Sequence, residues 1–194
     1  MRRHLVVMAK APLLGRVKTR LAREVGALAA LRFHRRTTER LIRTLGHDPR
    51  WRLVVAMTPG PRFRGVRSVP QGAGDLGARM RRPLERLPPG PVVIVGSDIP
   101  AITRGHIAAA FRALGSNDLV FGPAPDGGYW LVGAKRRPLP ARLFRDVRWS
   151  TEHALADTLA GIPDRFRVAF VAELEDVDDA AALRRASGAP AAAA

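Results

Sequence analysis

His4-Leu5-Val6-Val7-Met8 runs directly into Ala9-Lys10-Ala11-Pro12-Leu13-Leu14-Gly15-Arg16-Val17-Lys18-Thr19-Arg20-Leu21. The apolar run is continuous rather than alternating, as a strand covered on both faces requires. Pro12 and Gly15 then bend the chain, and a helical pattern extends over Thr19–Leu45, broken near Gly26. A strand, a bent basic loop and a helix N-terminus together present N–H groups and cations to phosphate oxygens. Of 33 basic residues only three are lysines, and two of these, Lys10 and Lys18, lie in this loop. The loop points to a nucleotide-handling protein. It is not a Walker A loop, because Lys18-Thr19 follows Val17 and the upstream glycine is missing.

Outward from this stretch, apolar runs at Arg52–Met57, Val92–Val95, Leu119–Phe121, Trp130–Val132 and Val168–Val171 read as further strands. Helical patterns cover Gly74–Leu87, Arg104–Leu114 and Thr151–Leu159. Thr103 is expected to cap the Arg104 helix and Gly115 to end it, with Ser150 or Thr151 capping the last. The alternation predicts an α/β fold, a three-layer α/β/α sandwich on a mainly parallel mixed sheet. An antiparallel excursion is expected at 117–135, around the turn Asp126-Gly127-Gly128. The Gly/Pro-rich stretch Pro59–Gly74 reads as a loop around one short strand, Val66–Val69. Residues 1–185 read as one domain and the Ala/Gly/Pro-rich residues 186–194 as a frayed tail.

Composition narrows the function. With no cysteine, disulfides and thiolate metal sites are excluded. No apolar run is long enough for a bilayer, and the one behind Met1-Arg2-Arg3 is too short for a secretory signal, so a cytoplasmic location is expected with no membrane partner. The net charge of +16 favours polyanions in general. It is spread along the chain as arginine, and one tyrosine and three tryptophans make a poor stacking platform for single strands. No dedicated nucleic-acid role is expected. A non-catalytic nucleic-acid binder is the competing reading from another class.

In open α/β sheets, ligands gather beyond the carboxyl ends of the strands. Asp98 stands there, in Val95-Gly96-Ser97-Asp98-Ile99-Pro100. A carboxylate ending a buried strand is a hard oxygen ligand for Mg2+ or Mn2+ bridging to a diphosphate. Thr103 is the nearer cap residue, so helix capping does not account for it. The segment Gln71-Gly72-Ala73-Gly74-Asp75-Leu76-Gly77-Ala78-Arg79 is a second loop entering a helix. Gln71 there can read a base edge, while Asp75 has the plainer role of a residue favoured by the helix dipole. Asp126-Gly127-Gly128-Tyr129 is either a simple turn or, with Tyr129 or Trp130 as a wall, part of an acceptor pocket. Trp149-Ser150-Thr151 opens a helix, as an anion site or as plain capping. Asp176-Val177-Asp178-Asp179 is an acidic turn or the source of a second carboxylate for the metal. The five histidines show no ligand spacing and are given no role.

Taken together, Lys10-x-Pro12-x-x-Gly15-x-x-Lys18-Thr19-Arg20-Leu21, the Gln71–Met80 segment, Gly96-Ser97-Asp98-Ile99-Pro100, Gly122-Pro123-Ala124-x-Asp126-Gly127-Gly128-Tyr129 and Trp149-Ser150-Thr151 resemble the DUF2064 family from Leu5 to about Leu183. Members of that family carry a glycosyltransferase label and are sometimes linked to arsenosugar biosynthesis. It is similar to the GT-A superfamily, which implies a Rossmann-like nucleotide-diphospho-sugar transferase fold; 2-phospholactate and molybdenum-cofactor guanylyltransferases are similar too. The resemblance implies a metal-dependent transferase using a nucleotide-sugar donor and a small-molecule acceptor, or else a nucleotidyltransferase releasing pyrophosphate. The nucleotide and its phosphates are then expected against Ala9, Lys10, Gly15, Lys18, Thr19, Arg20, Gln71, Gly74, Asp75 and Ser97. Mg2+ or Mn2+ would sit on Asp98 and Asp178. The acceptor would lie against Asp126, Gly127, Gly128, Tyr129, Trp149, Ser150 and Thr151, with Asp98, Lys18 and Asp126 as the catalytic set. Two departures are visible: Asp179 stands where relatives often have threonine, and no Asp-x-Asp triplet occurs at Asp98.

Overall fold

The computed structural model describes residues 1–187. In chain order the elements are β1 (His4–Ala9), α1 (Thr19–Val25), α2 (Ala27–Gly46), β2 (Arg52–Met57), β3 (Ser68–Pro70), α3 (Leu76–Arg86), β4 (Val92–Gly96), α4 (Arg104–Ser116), β5 (Leu119–Pro123), β6 (Tyr129–Ala134), α5 (Ala154–Ala160), β7 (Val168–Phe170) and α6 (Ala180–Ser187). One seven-stranded sheet has the order β3-β2-β1-β4-β6-β5-β7. Only β6 runs antiparallel, pairing with β4 on one side and β5 on the other. The tight Pro123–Tyr129 connection explains this, since a crossover to a parallel strand needs a dozen residues or more.

Helices cover both faces, giving the expected three-layer mixed sheet. Along β1, Leu5 and Val7 pack with Leu41 and Leu45 of α2, and Val6 packs with Met80 and Leu84 of α3. Along β4, Val93 and Val95 join the first core, and Val92 and Ile94 the second. A side chain on every second position thus enters each layer, which is why the strands read as unbroken apolar runs.

The helix break at Gly26 is present, with Gly26 at φ 85° closing α1 and opening α2. Thr103 caps α4 in a capping box, its hydroxyl accepting from the His106 N–H and its own N–H donating to His106 Nδ1, each 3.3 Å. Three boundaries differ from expectation. α4 continues through Gly115 to Ser116, where Asn117 Nδ2 bonds the Ala113 carbonyl at 2.9 Å and closes the helix. α5 starts at Ala154 behind His153, not behind Ser150 or Thr151, because the Thr151 hydroxyl donates to the Arg148 carbonyl in the preceding turn. The short third strand is shifted to Ser68–Pro70. Helix α6 was not foreseen; it occupies the first two residues of the expected tail, whose remainder, 188–194, lies outside the described residues.

Candidate nucleotide and cation site

All strands but β6 end on one edge of the sheet, and β6 begins there. That edge gathers the loop after β1, Asp98 after β4, the Asp126 turn between β5 and β6, and the acidic segment after β7.

At its centre, the Asp98, Asp176 and Asp178 carboxylates offer oxygens all within 4.8 Å of one another. The Val177 N–H donates to the Asp98 carbonyl at 3.2 Å, and the Val177 side chain is buried, so Asp176 and Asp178 are held beside Asp98 by the backbone between them. Lys18 enters this group from the N-terminus of α1. Its Nζ lies 2.6 Å from Asp98 Oδ2 and 2.6 Å from Asp178 Oδ1, with the side chain only 7% exposed. Lys18 is left-handed, at φ 47° and ψ 51°, a region unfavourable to a residue with a β-carbon. Arg20, 73% exposed, stands 3.9 Å from Asp178 Oδ2.

The charges are strongly coupled. Burial pushes the Lys18 ammonium down, but the facing Asp98 and Asp178 carboxylates outweigh it and its pKa rises. Burial, then the negative charges of Asp178 and Asp98, push Asp176 up to about 7. Burial also opposes ionisation of Asp178, yet the Lys18 charge and hydrogen bond bring its pKa down. Three close carboxylates sharing one ammonium leave negative charge in surplus. Oxygen donors of this kind suit a hard divalent cation, and a lysine ammonium already stands among them as a stand-in cation.

The loop after β1 is tied down at its start. The Gln71 amide donates to the Ala9 carbonyl at 3.1 Å and the Ala56 carbonyl at 3.0 Å. His34 Nε2 donates to the Lys10 carbonyl at 3.0 Å, and the Ala11 N–H donates to the Thr58 hydroxyl at 2.8 Å. His34 is buried, which lowers its pKa, so the neutral ring is the donor. Beyond these ties Lys10, Gly15, Thr19 and Arg20 are exposed, Gly15 turning at φ 71°.

Several expected contacts are otherwise engaged. Gln71 is buried and its amide binds strands, so it does not present itself to a base. Gly74 accepts from the Arg79 guanidinium through its carbonyl at 2.9 Å. Asp75 caps α3, accepting from the Ala78 N–H at 2.7 Å, which is the plain helix-terminus role. Ser97 is buried next to Asp98. Asp126 Oδ1 accepts from the Gly128 N–H at 2.9 Å, as turn residues do, but the Asp126 charge is still felt at Asp176. The Tyr129 ring packs edge-on to Phe121 and Trp149. Its hydroxyl reaches the Thr158 hydroxyl at 3.3 Å; Thr158 spends its own proton on the Ala154 carbonyl, so Tyr129 is the donor. Burial raises the Tyr129 pKa. Tyr129 and Trp149, both half-buried, pack against the core between sheet and α5. Trp130 is buried on the other face, with Nε1 donating to the Ala172 carbonyl at 2.9 Å just ahead of the acidic segment.

Two clefts against α2 have no triad residue in their walls. One of about 480 Å³ is bounded by Arg36, Arg40 and Ile99–Thr103; another of about 880 Å³ lies between α2 and the Pro61–Arg67 loop. The donor chemistry, not cleft volume, singles out the strand ends. Sequence reasoning missed Asp176 as a member of the triad in its own right, and His34 as the anchor of Lys10. The spacing Asp176-x-Asp178 was a visible signal for the first; nothing local signalled the second.

The profile of the DUF2064 family, described as an uncharacterized protein conserved in bacteria, matches residues 33–151. No curated protein matches the sequence. Among solved structures, a Desulfovibrio desulfuricans protein provisionally assigned as a nucleotide-diphospho-sugar transferase is 25% identical, with 92% of this chain and 84% of that one covered at a TM-score of 0.81. The 2-C-methyl-D-erythritol 4-phosphate cytidylyltransferase of Thermus thermophilus is 17% identical over 97% of this chain and 98% of its own, with a TM-score of 0.56. Rv0371c of Mycobacterium tuberculosis, in complex with manganese, is 17% identical over 96% and 98%, with a TM-score of 0.55. The two more distant likenesses establish the fold alone. No helix among the described residues is long and apolar enough to cross a membrane. With its profile match spanning more than half the sequence, on the α/β/α frame of nucleotide-diphospho-sugar transferases and cytidylyltransferases, the chain belongs to the DUF2064 family.

Proposed function

We propose that this protein is a divalent-cation-dependent transferase whose donor is a nucleotide or nucleotide-sugar and whose acceptor is a small molecule. The observation that carries the reading is the convergence of Asp98, Asp176 and Asp178 on one point beside Lys18. Asp98, Asp178 and Asp176 would hold Mg2+ or Mn2+. When bound, the cation would neutralise charge on the donor phosphates. Lys10 and Arg20, exposed on the lip of the loop, bind phosphate oxygens and offset charge gathering on the leaving group. The ties from His34, Thr58 and Gln71 keep the loop backbone in place against that load. Asp126 is the candidate base that takes the acceptor hydroxyl's proton.

Two bonds can break on such a site. Glycosyl transfer breaks the sugar–phosphate bond and releases a nucleoside diphosphate. Nucleotidyl transfer joins a nucleoside monophosphate to an acceptor and releases pyrophosphate. The second is favoured by the absence of an Asp-x-Asp triplet at Asp98, with the further carboxylates arriving from the segment after β7.

The test is a thermal-shift panel of nucleoside triphosphates and nucleotide-sugars, with and without Mn2+. A ligand at a hundredfold excess over its Kd stabilises by about 2.7 kcal/mol, or roughly 5–10 °C for a chain of this size. Asp98→Asn should abolish the Mn2+-dependent part. A wild-type panel without any Mn2+-dependent nucleotide shift would overturn the proposal, and the released product separates its two forms.

A further inference from the structure

We infer that Lys18 is an exchangeable occupant of the carboxylate cage: its ammonium holds Asp98 and Asp178 together in the cation-free protein and is expelled when a divalent cation takes those oxygens. The inference rests on the cation site proposed above and adds how that site is kept when empty of metal.

The ammonium is 2.6 Å from Asp98 Oδ2 and 2.6 Å from Asp178 Oδ1, between two of the three carboxylates that a cation on the triad would need. Two positive charges cannot share them at contact distance, because their repulsion in a half-buried site is not screened by water. Without Lys18, however, three crowded carboxylates would face one another with only the exposed Arg20 guanidinium, 3.9 Å from Asp178 Oδ2, as a counter-charge. The cage therefore calls for one buried positive group, and has no room for both.

The backbone is consistent with a held rather than a relaxed position. Lys18 is a non-glycine residue at φ 47°, the residue before the first turn of α1, with no side-chain cap bond of its own. Its two ion pairs add to the Ala22 N–H bond on its carbonyl in holding this unfavourable conformation. Once released, the side chain swings from the same loop that carries Lys10 and Arg20, so the charge lost from the cage joins the loop's basic lip. One lysine would offset part of the cage's negative charge at rest and meet phosphate when a cation arrives.

Because the chain has only three lysines, the wild-type protein can report on this directly. Amine acylation read by mass spectrometry should find Lys18 protected in chelator and exposed Lys10 reactive in both states. With saturating Mn2+ alone, Lys18 should label about tenfold faster, a size usual for coupled sites, while Lys10 stays unchanged. In parallel, Lys18→Met should bind Mn2+ about tenfold tighter by calorimetric titration and lose thermal stability in chelator, with Mn2+ restoring it. Mn2+ that binds wild type while Lys18 stays protected, or binds Lys18→Met no more tightly, overturns the exchange and leaves the cation site standing. Failure of wild type to bind Mn2+ at all, with or without nucleotide, or binding by Asp98→Asn as tight as wild type, overturns the cation site itself.

Discussion

Val177 donates its backbone N–H to the carbonyl of Asp98 at 3.2 Å, joining the segment after β7 to the end of β4. Its side chain is buried while Asp176 and Asp178 on either side turn towards the cage. A single apolar anchor thus sets the positions of two ionisable neighbours. Val177→Ala should cost about 2 kcal/mol in urea denaturation, from two lost methyl groups and the gap they leave. It should also weaken Mn2+ binding, whereas Val168→Ala in half-buried β7 should leave Mn2+ affinity unaltered.

His34 gives a pH dependence with a definite sign. It faces Lys10, Lys18 and Asp98, and burial holds its pKa below the usual 6.5. On acidification the unfolded chain takes up the proton first, so the neutral ring's contribution is complete above about pH 6.5 and declines as pH falls below it. His34→Gln keeps a donor for the Lys10 carbonyl but does not titrate. Thermal unfolding from pH 8 to pH 5 should show the wild type losing ground steadily to the Gln variant; parallel curves would refute the assignment.

Gly127 turns at φ 79°, and a β-carbon there would stand 2.0 Å from the Glu152 carbonyl oxygen. Its own carbonyl accepts from the Leu155 N–H at 3.0 Å, docking the β5–β6 turn on the start of α5. Gly127→Ala combines left-handed strain with a backbone collision and should cost at least about 3 kcal/mol. Chemical denaturation measures it directly.

Arg136 shows that part of the large positive charge is structural. Its guanidinium donates to the carbonyls of Leu84, Leu87, Pro88 and Gly90, gathering the chain as α3 ends. Arg136→Ala should destabilise by about 2–3 kcal/mol, as loss of charge-assisted bonds to several carbonyls implies. Arg136→Lys should recover only part, since an ammonium cannot reproduce the planar fork.

The strands were legible because burial on both faces leaves unbroken apolar runs, and Asp98 was legible because a carboxylate closing such a run has no packing role. Helix α6 was not. Its buried residues are small, Ala180 and Ala182, so no apolar period marks it; its clearest sign is Asp179, whose carboxylate accepts from the Ala182 N–H at 2.7 Å. Lys10 and Lys18 looked equivalent in sequence, yet one is exposed on the lip and the other lies within the cage. That difference depends on partners 80 and 160 positions away from Lys18, which no local pattern encodes. Composition does not reveal that the Gln71 amide and the Tyr129 hydroxyl have partners inside the fold.

Those separations also set an order in time. During synthesis the basic loop precedes Asp98 by 80 residues, and over that stretch the lysine has neither of its two partners. Asp178 comes later still, and the cage closes only when the last strand has taken its place at the sheet edge. Until then a nascent chain carries the loop's positive charge without the carboxylates that balance it. The finished protein differs from every shorter intermediate in the same respect: only a chain synthesised past Asp178 can balance Lys18 from both sides.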